Sequence, residues 1–197
     1  AIAFIVVACM SPLLSSIADY KGNKKKFLQF FCTLGSLACM SLYFFDAAHI
    51  YLGLVSVIIA CVGFWGSLVF YNSYLPEIAA PADRDRVSAK GFAMGYIGSV
   101  ILQIICFVFV LKPLLFGITV GKASQISFLL AGLWWFGFGQ WFIMKLPAGI
   151  SIANPEKKAN VFSAGYKELH KVWIQLKNLP VLKKFLTAFF FYNMGVQ

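Results

Sequence analysis

Charge is scarce in this chain of 197 residues: charged side chains make up 12% of it and hydrophobic ones 60%. So few charges cannot clothe a soluble domain of this length, and lipid must cover the remainder. The usual marks of catalysis are missing as well. There are two histidines, and no His-Glu-x-x-His, Gly-x-Ser-x-Gly or phosphate-cradling Gly-rich loop with its Lys occurs. The five cysteines, Cys9, Cys32, Cys39, Cys61 and Cys106, stand inside apolar runs without a Cys-x-x-Cys pair. That excludes a disulfide frame or a thiolate metal site and leaves them as packing residues. No enzyme, cofactor or metal is expected. The formal net charge of +10 is the one feature that suggests nucleic acid. A nucleic-acid binder gathers its bases on one soluble face, whereas these sit in short loops between apolar runs.

Long apolar runs are what the sequence does have. A helix rising about 1.5 Å per residue needs roughly 20 residues to cross the hydrocarbon layer. Residues 27–45, 50–74, 91–111 and 126–144 meet that length, and two further runs, 1–17 and 181–197, are read as spans cut short by the ends of the sequence. Continuous runs, rather than short alternating ones, exclude a barrel and predict an all-α polytopic bundle. Lys and Arg accumulate in cytoplasmic loops. Lys21, Lys24, Lys25 and Lys26 follow the first run, and Arg84, Arg86 and Lys90 follow the third; Lys145, Lys167 and Lys171 follow the fifth. The opposite loops carry only Lys112 and Lys122. Lys21, Arg84 and Lys167 are therefore placed inside, and Asp46, His49 and Lys112 outside. His49 and His170 consequently lie on opposite sides and cannot share a ligand.

Three regions are predicted: residues 1–146 as most of one helical bundle, 147–180 as a cytoplasmic linker, and 181–197 as the start of a second bundle. In the linker, Phe162, Tyr166, Leu169, Trp173 and Leu176 recur at spacings of three and four, one apolar stripe of an amphipathic helix with basic residues on its other side. Within the spans, Gly91, Gly95 and Gly98 share one helix face and are expected to admit a neighbouring backbone, and Gly63, Gly66, Gly132, Gly137 and Gly139 to do similar work less specifically. Ser67, Tyr71, Asn72 and Ser73, beside Trp65, and then Tyr96, Ser99 and Gln103, are polar groups at membrane depth. They serve either as interhelical hydrogen bonds or as the lining of a water-filled path.

The run 15–26 resembles the inner-loop signature of the major facilitator superfamily, with Asp19, Gly22 and Lys24 in register. Ser15 stands where Gly is usual and Tyr20 where a base is usual. The runs 71–79, 86–88, 91–98 and 189–197 are similar to the vacuole-effluxer family, the autophagy-associated amino-acid exporters of fungal vacuoles and their bacterial relatives. The resemblance implies a fragment covering helices two to seven of twelve. It implies alternating access between two six-helix bundles about a midplane site. It makes Asp19, Gly22, Lys24 and Lys25 an inner-loop gating motif that latches one end of the path. It also implies a substrate path lined by Trp65, Tyr71, Asn72, Gln103, Asn193 and Gln197. Relatives usually carry Asp at the position of Met194.

The implied function is efflux or exchange of amino acids or similar small metabolites, in a cell (inner) membrane or, in a fungus, a vacuolar one. The implied partners are the solute, a coupling proton or cation, and the lipid bilayer. A sugar–cation symporter and a non-transporting receptor or scaffold are the alternatives. The charge-based topology is checked in a background without native cysteines. A cysteine replacing Asp85 should react with an impermeant maleimide only from the cytoplasmic side, and one replacing His49 only from outside; reversed labelling rejects the orientation.

Overall fold

The computed structural model describes residues 24–46, 49–147, 170, 174 and 179–196. Among these the chain is helical with no strand: α1 Lys24–Ser41, α2 Ile50–Ser73, α3 Leu75–Ile78, α4 Arg84–Leu111, α5 Val120–Lys145 and α6 Pro180–Val196. Among the described residues four stretches, Lys24–Phe44, Ile50–Ile78, Pro81–Leu111 and Val120–Lys145, are long and apolar enough to cross a membrane. Helix is the economical answer in lipid, because each N–H and C=O finds its partner within the same segment. The chain divides into two compact units, 1–153 and 154–197, with the division inside the predicted linker. The apolar stripe at 162–176 lies outside the described residues, as do Asp19 and Gly22.

Local chemistry sets the ends. Pro76 has no N–H to offer the carbonyl of Asn72, and α2 gives way at Tyr74 to the short α3. Lys112-Pro113 stops α4, and Gly117 takes the left-handed conformation at φ 62° that lets the chain turn back. Thr119 then caps α5, accepting the Lys122 N–H at 3.2 Å. Two spans begin earlier than the apolar runs suggest. α4 starts at Arg84, its first turns polar and braced by an Arg86–Asp83 ion pair of 3.0 Å. α5 starts at Val120, where Lys122 lies 3.9 Å from the centre of the Tyr43 ring.

Within the first unit α1 is the central helix, packed on both α2 and α5, while α4 leans on α5. The approach is at backbone distance. A Cβ on Gly63 would lie 2.5 Å from the Gly35 Cα and 2.9 Å from the Phe31 carbonyl oxygen. One on Gly132 would lie 2.8 Å from the Met40 N and 2.9 Å from the Ser36 oxygen. The Trp135 indole covers Gly35 and meets Phe64 edge-to-face at 6.1 Å, so α5 closes over the α1–α2 seam. The buried cluster sits toward the end that carries Lys24 and Glu77: Leu28, Phe31, Cys32, Phe70, Tyr74, Ile143 and Leu146. Phe70 stacks on Phe27 and Phe31 at 5.4 and 5.9 Å.

Gly91, Gly95 and Gly98 behave differently. Gly95 has nothing within 4 Å of a Cβ position, Gly91 only the Tyr71 hydroxyl at 3.1 Å and Gly98 only the Trp134 ring nitrogen at 3.9 Å. No backbone seats on that face among the described residues. Gly63→Ala should therefore lower the thermal midpoint of the detergent-purified protein by the equivalent of about 1–3 kcal/mol, since the added methyl meets backbone. Gly139→Ala, whose Cβ would find only ordinary contacts at 3.7 and 3.9 Å, should be neutral or slightly stabilising. Equal effects at the two positions reject the close-approach seam.

Candidate functional site

α2 presents three different faces. Gly63, Gly66, Ser67 and Phe70 are buried along one stripe, and contacts with Phe31, Gly35 and Phe27 turn that stripe toward α1. Phe64 and Tyr71 flank it toward α5, the Tyr71 ring lying 5.9 Å from Phe142. Trp65 and Asn72, seven residues apart, share the face opposite the buried stripe. Asn72 is exposed there, and Trp65 is half-buried with its ring edge-on to Phe64 at 5.5 Å. On α4, Gln103 is also exposed.

Among the described residues neither Asn72 nor Gln103 has a side-chain hydrogen bond. They do not converge on one pocket. With α2 and α4 running in opposite directions, Asn72 and Gln103 lie roughly 20 Å apart along the bundle, at about 1.5 Å per residue. Trp65 falls between them, so the four residues string along the unit. Asn193 is within α6, and nothing is described of its side chain; Gln197 lies outside the described residues.

The polar residues that do join helices are others. Gln140 on α5 bridges two groups of α1, accepting from the Gln29 amide at 3.1 Å and donating to the Thr33 hydroxyl at 2.8 Å. Ser41 donates to Ser56 at 2.8 Å across the α1–α2 seam. Ser67, Ser73 and Ser99 instead bond back to their own helices, at the carbonyls of Phe64, Phe70 and Tyr96. The Gln140 bridge was not foreseen; its one trace in the sequence is Gln29 and Thr33, one turn apart on α1.

At the basic end the unit carries its strongest polar contacts. Lys24 is buried and its ammonium lies 2.7 Å from Glu77 Oε1, with the two side chains 7% and 13% exposed. Among the described residues Glu77 Oε2 and Arg84 Nε are buried and find no hydrogen-bond partner. Lys25 reaches the end of α5 and donates to the Leu146 carbonyl at 2.8 Å. Both lysines of the predicted gating motif are thus engaged inside this unit. Glu77 was not foreseen, although an acid at the foot of an apolar span facing a run of lysines is a readable sign. At the other end Asp46 and His49 form an exposed pair at 2.7 Å. No cluster of three metal-ligating side chains occurs among the described residues.

Comparison with known proteins agrees with the helical architecture. The family described as vacuole effluxer Atg22 like matches residues 1–84 and 80–197. The MFS-type transporter YxiO of Bacillus subtilis is 33% identical over 198 residues, covering 100% of this chain and 46% of its own length. Autophagy-related protein 22-2 of Aspergillus clavatus is 32% identical over 119 residues, 56% of this chain and 19% of its own length. Autophagy-related protein 22-1 of Penicillium rubens is 24% identical over 274 residues, 99% of this chain and 44% of its own. No solved structure matches. The chain spans less than half the length of these relatives.

Removing one partner of the Lys24–Glu77 pair leaves a charge in a mostly buried place. Glu77→Ala should cost on the order of 3 kcal/mol of stability, read from the thermal midpoint in detergent. The exchange Lys24→Glu with Glu77→Lys should recover part of it. If Glu77→Ala leaves the midpoint unchanged, the pair is not what fastens this end.

Proposed function

The chain belongs to the vacuole effluxer family, a family of multi-pass membrane transporters and not an enzyme class, and from that premise we propose that it works in efflux or exchange of amino acids or similar small metabolites by alternating access. The observation that supports this reading is the pair of exposed amides at Asn72 and Gln103. An amide facing hydrocarbon without a partner costs several kcal/mol, on the order of 4–8 for transfer to an alkane. Such groups are retained where water or a polar solute meets them, and their strung-out placement suits a path better than a closed pocket. Amide and aromatic side chains offer hydrogen bonds to a zwitterion without setting a fixed charge in the membrane.

In this reading Trp65, Tyr71, Asn72 and Gln103 contribute one wall of the path, and Asn193 and Gln197 belong to the second bundle's share of it. Asp19, Gly22, Lys24 and Lys25 form the gating loop. Lys24 and Lys25 brace the loop's end against Glu77 and the foot of α5. A proton or cation supplies the driving force, and the membrane is the cell membrane, or the vacuolar one in a fungus.

The experiment is uptake and efflux by the whole protein in reconstituted vesicles, screened over amino acids and then sugars. Asn72→Ala and Gln103→Ala should each raise the half-saturating concentration about tenfold or abolish transport, as expected for loss of one or two hydrogen bonds to the solute. Gln29→Ala should instead lower thermal stability with little change in half-saturation, because its amide is bonded to Gln140. If Gln29→Ala shifts the half-saturation and the other two do not, the path assignment is wrong.

A further inference from the structure

α5 ends abruptly. Lys145 is its last residue, Leu146 is extended at φ −70° and ψ 144°, and Pro147 follows. The last carbonyls of a helix have no partner inside it and carry the negative end of the dipole. Here one side chain from more than a hundred residues earlier supplies both needs: the Lys25 ammonium donates to the Leu146 carbonyl at 2.8 Å and, more weakly, to that of Met144 at 3.5 Å. The apolar side of the same junction is held separately. Leu146 is buried with Ile143 among Leu28, Phe70 and Tyr74, and the Tyr74 hydroxyl donates to the Pro147 carbonyl over a long 3.4 Å.

The three successive lysines have different tasks. Lys24 pairs with Glu77 and is buried, while Lys26 is exposed. We propose that Lys25 is a positioning residue that fixes the point at which the chain leaves the first helical unit, clamping Leu146 and Pro147 to the start of α1. The start of α1 and the end of α5 then move as one body. A connection between two bundles transmits displacement only as well as its ends are held, so the clamp gives this unit a firm handle on whatever follows residue 147. It stands whether or not the solute reading above is right, because its test needs no substrate.

The test is limited proteolysis of the whole protein in detergent, following by mass spectrometry the fragment that begins at Leu146 and, as an internal reference, cleavage after Lys90. Where reclosing is fast, cleavage follows the population of the opened form. Lys25→Met should speed cleavage after Lys145 roughly tenfold, the factor expected for one charge-assisted hydrogen bond, and leave cleavage after Lys90 unchanged. Lys26→Met should change neither, and Lys25→Arg should stay near the parent rate. The proposal is overturned if Lys25→Met leaves Lys145 protected or if Lys26→Met exposes it equally. It is also overturned if cleavage after Lys90 rises in step, which would make Lys25 a general stabiliser. Should Lys25→Met fail to accumulate, Lys25→Gln is read by the same criteria.

Discussion

Lipid tails are as apolar as a leucine side chain, so burying Phe70 or Leu28 between helices gains none of the free energy that the same burial gains in water. Cohesion has to come from contact, and contact is greatest where backbones meet. Gly35 and Gly63 let α1 and α2 touch with no side chain between them, and Gly132 does the same for α1 and α5. Trp135 then covers the seam that the glycines open. The stacking of Phe27, Phe31 and Phe70 and the bridges at Gln140 and Ser56 all depend on that spacing. Each interhelical hydrogen bond adds only about 0.6 kcal/mol on average in such settings. They fix register more than they supply strength.

The two ends of the unit are finished differently. One end is closed by buried or half-buried polar contacts, Lys24 with Glu77 and Lys25 with the α5 carbonyls. The other is made of exposed devices: the Asp46–His49 pair, the Thr119 cap and Lys122 lying on Tyr43. α4 differs again, since its span has none of its residues buried within the unit. The helices that build the core and the helix that borders it are thus distinct, and Gln103 is on the bordering one.

The spans were legible because apolar runs of membrane length have few other readings. The helix starts at Arg84 and Val120 were not, because polar first turns look like loop until Asp83 and Thr119 are seen bracing them. Glycine spacing pointed first to the face of Gly91, Gly95 and Gly98 and less specifically to Gly63 and Gly132, and among the described residues the close backbone approaches fall at Gly63, against Gly35, and at Gly132. Spacing tells which residues share a face, and only the fold tells what that face meets. Glu77 and Gln140 escaped for a related reason: each is a single polar residue whose meaning lies in a partner more than fifty or a hundred positions away. Trp65, Tyr71, Asn72 and Gln103 could be named from the chain, but their spread along the bundle axis needed the antiparallel arrangement of α2 and α4.

The Lys25 contact also orders events during synthesis. Its acceptor on Leu146 is 121 positions later in the chain. At about 5–20 residues per second, roughly 6–24 s separate the two on the ribosome. During that interval the acceptor does not yet exist, and the third and fourth of these spans enter the bilayer before that end is fastened. The nascent unit is therefore fastened last at the end that carries Lys24, Lys25 and Glu77.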